Sequence, residues 1–341
     1  MTTAAGLELV VLITDFLSRL MEPTTLVRII VEGFGKAAVY FIIAIGLTLI
    51  FGLMGLLNFA HGAMSMLGAY LAAVLLLFLV SDGMGFLTIV FLFFATMVVV
   101  GAIITAFGTA LEVKLIRPIY DRPPMYQILL TFGFALILEQ LTRIIATHYG
   151  VLPESQWRPP MDTIPSQFGD RIDILGTPIR GLYLFEIVLG IVVVIAVYLF
   201  LTQTLYGLYI RAGSEEEEMA AALGIDVRRA FTVVFGVGTG LAAIGGVLLM
   251  WDPLWGPTVH LNIDVLLFAF VVVIIGGLGS FKGTVFAAII VGIADSFTTW
   301  LFTSGIVDHA GLPEVTIFLL LVIMLIIRPQ GLFGVEEVGG H

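Results

Sequence analysis

Long apolar runs separated by short polar segments dominate this chain. Four of the runs carry no charged residue, and each is long enough to cross about 30 Å of hydrocarbon, which takes about 20 helical residues. They cover residues 37–57, 84–111, 187–210 and 230–251. Five further runs are shorter or contain charges, and they cover residues 62–80, 123–147, 265–281, 283–303 and 315–327. The pattern predicts eight or nine transmembrane helices.

The runs show no alternation of polar and apolar residues, which would be typical of membrane-spanning strands. Helices satisfy every backbone amide within their own segment, as the hydrocarbon interior requires. Composition agrees, because 60% of the residues are hydrophobic and only 12% are charged, against about 25% charged in ordinary soluble domains. The predicted class is therefore an all-α polytopic membrane protein with broken, glycine-rich segments.

Lysines and arginines near the ends of the runs predict the orientation, since short cytoplasmic loops carry an excess of them. If nine spans alternate, the basic residues of four segments fall on one side. These residues are Lys114, Arg117 and Arg122, then Arg211, Arg228 and Arg229, then Lys282, and finally Arg328. We expect that side to be the cytoplasm, with the N-terminus outside, the C-terminus inside and residues 148–182 in an external loop.

The chain divides into a short N-terminal segment and one membrane domain. Residues 1–25 contain GLELVVLITDFLSRL, which is typical of an amphipathic helix lying along the membrane interface, although a short helix packed on the bundle fits equally well. Residues 26–341 are expected to form a single transmembrane domain. The absence of cysteine excludes a disulfide framework, and the formal charge of −10 argues against a nucleic-acid partner.

Polar residues interrupt the apolar sequence where NFAHGAMSMLGAY follows FIIAIGLTLIFGLMGLL. Under a structural interpretation, Asn58, His61 and Gly62 cap and kink two half-spans and bond backbone carbonyls that the break frees. Under a functional interpretation, a broken helix lines the transport path and presents Asn58 or His61 to the solute. The two interpretations are compatible, because a helix broken for substrate must still satisfy its own backbone.

Charged residues and glycines inside other spans are further candidates. Glu139 and Arg143 are spaced i, i+4 and can form an ion pair on one helical face. Asp295 stands alone in VGIADSF, where an intramembrane carboxylate is a functional hypothesis by default and a satisfied packing role is the alternative. Gly276 and Gly277 in IIGGLGSFKG permit either close backbone approach or a hinge.

The loop of residues 203–229 carries the signals of a short helix. Ser214 is a good N-cap and Glu217 completes a capping box three residues later. Good helix formers follow, and Gly224 can take the left-handed conformation that ends a helix. A solvated acidic loop is the plainer interpretation, but a loop that only needs to be soluble does not require start and stop signals.

Four segments together resemble the permease subunits of ABC importers for branched-chain amino acids. The segments are IAIGLTLIFGLMGLLNFAHGAMSMLGAYLA, RAGSEEEEMAAALGIDVRRAFTVVFGVGTGLAAIGGVLL, IIGGLGSFKGTVFAAIIVGIAD and RPQGLFG. The resemblance runs in order from about residue 30 to the C-terminus. It is specific to that permease family but not to one solute, since importers of urea, short amides and other amino acids use similar subunits.

The resemblance implies that residues 203–229 form a cytoplasmic coupling loop that docks in a groove of an ATPase subunit. The residues expected to serve it are Arg211, Gly213, Ser214, Glu217, Met219, Ala220, Leu223 and Gly224. It also implies a helical importer permease in a bacterial or archaeal cytoplasmic membrane. Its expected partners are a second related permease, two cytoplasmic ATPases and an external solute-binding protein. The residues expected at the translocation path or its helix breaks are Asn58, His61, Gly62, Gly276, Gly277 and Asp295.

The chain lacks the G-x-x-x-x-G-K-[ST] loop that cradles nucleotide phosphates, because EGFGKAA and GSFKGT both fail the pattern. We therefore expect no catalytic residue, cofactor or metal in this chain, and energy must come from separate subunits. A stand-alone secondary transporter would need coupling-ion carboxylates or a selectivity motif instead of a capped helix. An intramembrane hydrolase would have to combine Ser280 with His61 or His260.

Overall fold

The fold is seen in a computed structural model, which describes residues 14–81, 83–149, 171–215, 217–251, 258–307, 309 and 311–334. Seven helices of the described residues are long and apolar enough to cross a membrane. Two shorter apolar helices, Leu261–Gly276 and Leu312–Ile327, bring the total to nine in this part of the chain. The all-α polytopic class is confirmed, and the two short helices account for the difference between seven long spans and the predicted eight or nine.

The helices and strands follow one another in a simple order. In the first half of the chain they are α1 (Pro23–Met54), α2 (His61–Leu79), α3 (Phe86–Leu111), α4 (Pro124–His148), β1 (Arg171–Ile174) and β2 (Thr177–Arg180). In the second half they are α5 (Gly181–Gln203), α6 (Leu205–Glu215), α7 (Glu217–Ala222), α8 (Val227–Leu249), α9 (Leu261–Gly276), α10 (Phe281–Thr303) and α11 (Leu312–Ile327). Past the end of α3, the helix continues as a π-turn over Glu112–Ile116 and a 3₁₀ turn over Arg117–Ile119.

Helix α1 is the centre of the bundle. Its 32 residues span about 48 Å at 1.5 Å per residue, more than the hydrocarbon thickness. It packs most extensively against α10 and α8, and α8 in turn packs against α2 and α3. The domain boundary predicted at residue 25 falls inside α1, because the helix begins at Pro23, a residue favoured in a first helical turn.

A two-residue hairpin joins β1 and β2 within the segment predicted only as a loop. Leu175 and Gly176 both have positive φ, of 52° and 79°, the conformation that tight hairpins need to match the twist of their strands. The Thr177 hydroxyl donates to the Thr24 carbonyl at 3.3 Å, so the hairpin rests on the first turn of α1. The N-terminal segment is described only from residue 14, and residues 14–20 are helical.

The four basic segments gather at one end of the bundle, which we call the basic end. Three contacts establish this: Gly52 near the end of α1 lies against Gly279 beside Lys282, Gly213 next to Arg211 lies against Leu53, and Arg117 bonds Thr232 beside Arg228 and Arg229. The segment after Arg328 returns to the end of α9, since the Leu332 amide donates to the Ile275 carbonyl at 2.8 Å. Which membrane face this end occupies stays a prediction.

Candidate transport and coupling sites

The chain breaks sharply between α1 and α2. Gly55 ends α1 with φ of 60°, and residues 55–60 are not helical. The His61 ring then lies 2.9 Å from the carbonyl of Ile43, which stands 11 residues before the end of α1, or about 16 Å along its axis. The segment therefore runs back along α1, and α2 begins beside the middle of that helix.

Asn58 and His61 both hold this break in place. The Asn58 side-chain oxygen accepts from the Ala60 amide at 3.1 Å. Because a carbonyl can only accept, the His61 nitrogen Nε2 carries the proton that bonds Ile43. Both side chains are fully buried, and the second polar nitrogen of each, Asn58 Nδ2 and His61 Nδ1, has no hydrogen-bond partner among the residues that the structure describes. The structural interpretation accounts for the contacts made, and the path-lining interpretation stays a prediction.

Glycines let the helices approach closely around the break. A Cβ atom at Gly62 would overlap the Asn262 carbonyl oxygen on α9, and one at Gly46 would overlap the Gly238 carbonyl oxygen on α8. In both places backbone meets backbone, so any side chain would have to push two helices apart. Gly62, predicted to act at a helix break, is thus also a packing contact between α2 and α9.

Gly276 and Gly277 permit a similar approach at the basic end. A Cβ atom at Gly276 would lie 2.5 Å from the Gly283 carbonyl carbon, and Gly277 has φ of 100°. The amides of Leu332 and Phe333, in the terminal RPQGLFG segment, donate to the carbonyls of Ile275 and Gly276 at 2.8 and 3.0 Å. The C-terminal segment therefore caps α9 by supplying donors that the helix itself lacks.

The expectation that Asp295 stands alone is wrong. Lys36 on α1 donates to its carboxylate at 2.8 Å, with both side chains less than 10% exposed. The Tyr40 hydroxyl donates to the other oxygen, and the Thr299 hydroxyl lies 3.1 Å from the first. Sequence analysis missed Lys36 as a partner, although a lysine inside an apolar helix is a signal that an opposite charge must be near.

Two further acidic residues are paired. The predicted ion pair of Glu139 and Arg143 is present at 3.3 Å, and the Asn262 side chain donates to the other Glu139 oxygen at 3.1 Å. Glu112, which sequence analysis did not single out, is fully buried and accepts from Arg117 at 2.9 Å. The Arg117 guanidinium also donates to the Thr232 hydroxyl, so this pair ties the end of α3 to α8.

The coupling loop folds differently from its predicted capping pattern. Ser214 lies inside α6, where its hydroxyl donates to the Arg211 carbonyl at 3.0 Å. The predicted capping box of Ser214 and Glu217 is therefore wrong. The helix instead begins after Thr204, whose hydroxyl accepts from the Gly207 amide at 3.0 Å. The helix that contains Ser214 starts at Leu205, so Ser214 is an interior residue and not an N-cap.

The end of α7 does follow the prediction. Gly224 has φ of 85°, and two hydrogen bonds close the helix: the Gly224 amide donates to Ala221 and the Ile225 amide donates to Ala220, at 3.0 and 3.1 Å. This is the Schellman arrangement, in which a left-handed residue satisfies the last carbonyls. Helix α7 therefore has a defined end rather than fraying into a loop.

The candidate contact residues in and just after α7 differ in how exposed they are. Met219 and Leu223 are 58% and 77% exposed, whereas Ala220 is 3% exposed. Ala220 therefore faces its own chain, and its expected place in a contact surface is wrong. Gly213 and Arg211 anchor the preceding helix: a Cβ atom at Gly213 would lie 3.0 Å from Leu53, and Arg211 donates to the Leu201 carbonyl.

The structure separates Ser280 from His260, one of the two pairs that the hydrolase alternative could use. The Ser280 hydroxyl accepts from the Gly283 amide at 3.1 Å and caps α10. His260 precedes the first residue of α9 and Ser280 follows its last, so that the 16-residue helix separates them by about 24 Å. A serine that caps a helix at the far end from the histidine is a structural residue.

A bundle of apolar helices with polar groups buried at its breaks defines a multi-pass membrane protein. The family described as "Branched-chain amino acid transport system / permease component" matches residues 29–328. The chain therefore belongs to this family of ABC transport permeases.

Curated relatives span nearly the whole chain. The high-affinity branched-chain amino acid transport system permease protein BraD of Pseudomonas aeruginosa is 27% identical over 313 residues, covering 91% of this chain and 96% of BraD. The corresponding protein LivH of Escherichia coli K12 is 26% identical, covering 90% and 95%. The probable permease protein LivH of Methanocaldococcus jannaschii is 27% identical, covering 86% and 88%. Among solved structures, PsaBC from Streptococcus pneumoniae in complex with Fab aligns with a TM-score of 0.49 at 14% identity, covering 93% of this chain and 97% of that one.

Proposed function

We propose that this chain is the permease subunit of an ATP-driven importer for branched-chain or other apolar amino acids. It forms half of the translocation path in the cytoplasmic membrane of a bacterium or archaeon. The family description and the names of the relatives support the solute class. Its proposed partners are a second homologous permease, two cytoplasmic ATPase subunits and an external solute-binding protein.

The observation that carries the coupling role is the apolar face of α7. Met219 and Leu223 are spaced i, i+4, so they lie on the same side of the helix, and both are largely exposed. Exposed Arg228 and Arg229 follow Leu223 within six residues at the basic end. Paired exposed apolar residues in a polar setting are typical of a protein contact.

A coupling element must also be rigid, because force passes through it. Helix α7 meets this requirement through its Schellman end at Gly224 and through Ala220, which is buried against its own chain. Gly213 holds α6 against the end of α1. A displacement of α7 by an ATPase would therefore reach α1, the central helix.

The contact is tested with Leu223→Arg in the assembled importer. Placing a cation where an apolar side chain is desolvated should cost about 3 kcal/mol or more of binding free energy. ATPase subunits should no longer co-purify, while the permease keeps its melting temperature. Leu223→Met is the matched control, since it keeps apolar area at the same position and should retain binding. Tight ATPase binding by Leu223→Arg would refute coupling through this face and return a secondary transporter to contention.

The solute class is tested separately. Cells with and without this chain are given labelled leucine and labelled urea, and uptake that depends on the chain is measured for each. Uptake of leucine is expected. Chain-dependent uptake of urea without leucine would instead make the protein a permease for urea or short amides.

A further inference from the structure

A large chamber lies at the end of the bundle away from the basic end. Its volume is about 580 Å³, within the range of small-molecule sites, which is roughly 300–1,000 Å³. It is enclosed by α1, α9, α10 and α11 and is lined at its mouth by His260, Thr303 and Glu314. These three residues are exposed, so the chamber opens to the surface opposite α7.

The floor of the chamber is a buried pair of opposite charges. Lys36 and Asp295 both line it, yet they are only 6% and 5% exposed, and their charged atoms lie 2.8 Å apart. Lys36 also donates to the Thr299 hydroxyl at 3.0 Å, and Tyr40 donates to Asp295. A buried ion pair is weak evidence for stability, because desolvation offsets its attraction. The Lys36–Asp295 pair also lines a cavity, so its two charged groups border the space in which a solute would bind.

The walls of the chamber are apolar and aromatic. The rings of Tyr40 and Phe268 stack with centroids 5.6 Å apart, and those of Phe268 and Phe318 are 6.3 Å apart. Phe302 and Ile317 complete this side. A solute that carries a positive and a negative charge at one end and hydrocarbon at the other would match this chamber. Its charges would meet the ion pair at the floor, and its hydrocarbon would pack on the apolar walls.

We propose that this chamber binds the zwitterionic head of an apolar α-amino acid, with Lys36 pairing with its carboxylate and Asp295 with its ammonium group. The inference deepens the proposed function and rests on it for the solute class. Insertion of the head between the two side chains replaces one ion pair by two. Every charge is paired both before the solute binds and in the bound state, so binding buries no uncompensated charge.

The mouth of the chamber strengthens the choice of ligand. Asp264 and Glu314 add negative charge near the entrance, so the potential there attracts an ammonium group and repels a solute of net negative charge. A neutral amide or urea could donate hydrogen bonds but could not replace either ionic partner. The chamber therefore favours amino acids over urea and over the corresponding carboxylic acids.

The test uses the absence of cysteine from the chain. A single cysteine at Thr303→Cys, in the permease–ATPase complex in lipid nanodiscs without solute-binding protein, is labelled with a maleimide. Leucine at four times its dissociation constant should slow labelling about fivefold, because one fifth of the sites are then free. Asp173→Cys, in the hairpin outside the chamber, should label at the same rate with and without leucine.

Two analogues of leucine and one double variant test whether the chamber recognises both charged groups of the amino acid. Neither 3-methylbutylamine, which lacks the carboxylate, nor 4-methylpentanoate, which lacks the ammonium group, should protect Thr303→Cys as leucine does. In the background Lys36→Met with Asp295→Asn, which removes both charges together and leaves none unpaired, leucine protection should be lost. The double variant must elute as a folded complex, and Lys36→Arg, which keeps the charge, should retain at least part of the protection.

Several outcomes would overturn the proposal. Equal protection by leucine and by either analogue would refute zwitterion recognition, and so would full protection of the double variant. An importer that carries labelled leucine while leucine leaves Thr303→Cys unprotected would refute the chamber but leave the proposed function intact. Protection in nanodiscs without any leucine uptake in cells would refute the proposed function but leave the chamber intact.

Discussion

The buried break around Asn58 and the exposed coupling loop around α7 interrupt the helical bundle in opposite ways. Asn58 and His61 are fully buried, and Gly62 is fixed by the backbone of a neighbouring helix. At Gly224 a Cβ atom would meet none of the described residues within 4 Å, and the position is specified by its φ of 85°. The first interruption is specified by packing, the second by local backbone conformation, so they should fail differently when mutated.

The largest effect is expected at Gly62→Val. The new side chain would overlap the Asn262 carbonyl, and forcing bulk against backbone should cost about 3 kcal/mol or more. We expect little folded protein in fluorescence-detected size-exclusion chromatography. Gly133→Ala is the control: Gly133 also lies within a helix, α4, but among the described residues a Cβ atom there would meet no other part of the protein within 4 Å. This variant should elute as the parent does. A normal profile for Gly62→Val would mean that α2 and α9 are not held in this contact.

Asn58→Leu should have the next largest effect. The substitution removes the acceptor of the Ala60 amide and leaves that buried donor unsatisfied, at a cost of about 1–3 kcal/mol. Complex yield and uptake should therefore fall together. Asn58→Ser, which keeps a side-chain acceptor, should restore part of the yield. Normal yield with abolished uptake would instead favour a path-lining role. Asn58 Nδ2 and His61 Nδ1, which have no partner within the described part of the chain, would then contribute to it.

A smaller and more local effect is expected at Gly224→Ala. No atom in the described part of the chain blocks the methyl group, so the cost is that of the left-handed conformation for a residue with a Cβ, about 1 kcal/mol. The melting temperature should stay unchanged while ATPase affinity in a pull-down titration falls about fivefold, which corresponds to about 1 kcal/mol. Gly224→Asn should lose less, because asparagine tolerates this conformation. Loss of folded protein on Gly224→Ala would show that packing specifies this loop as well.

The contrast also explains what the sequence could and could not predict. The helices were predictable because each contains a long, largely apolar run with few charges, and the left-handed end at Gly224 because its signal is local. The partner of Asp295 was not, since Lys36 lies 259 positions away and only the packing of α1 on α10 brings the two together. The burial of Ala220 was not predictable, because residues 219–223 are all apolar and give no polar contrast that marks the buried side. Ser214 matched a capping pattern, but pattern alone cannot show that Thr204 starts the helix earlier.

The smallest effect is expected from Leu223→Cys, which tests which membrane face carries the loop. Leu223 is 77% exposed, so in cells that lack the ATPase subunits a cysteine there should react readily once the membranes are opened, and it should not disturb the fold. The basic residues gathered at this end predict that it faces the cytoplasm, so in intact cells an impermeant thiol reagent should leave Leu223→Cys unlabelled. The same reagent should label Asp173→Cys, because the hairpin rests on the opposite end of α1. Labelling of Leu223→Cys in intact cells would invert the orientation, place α7 outside and remove any possibility that it contacts an ATPase, while the buried break would be unaffected.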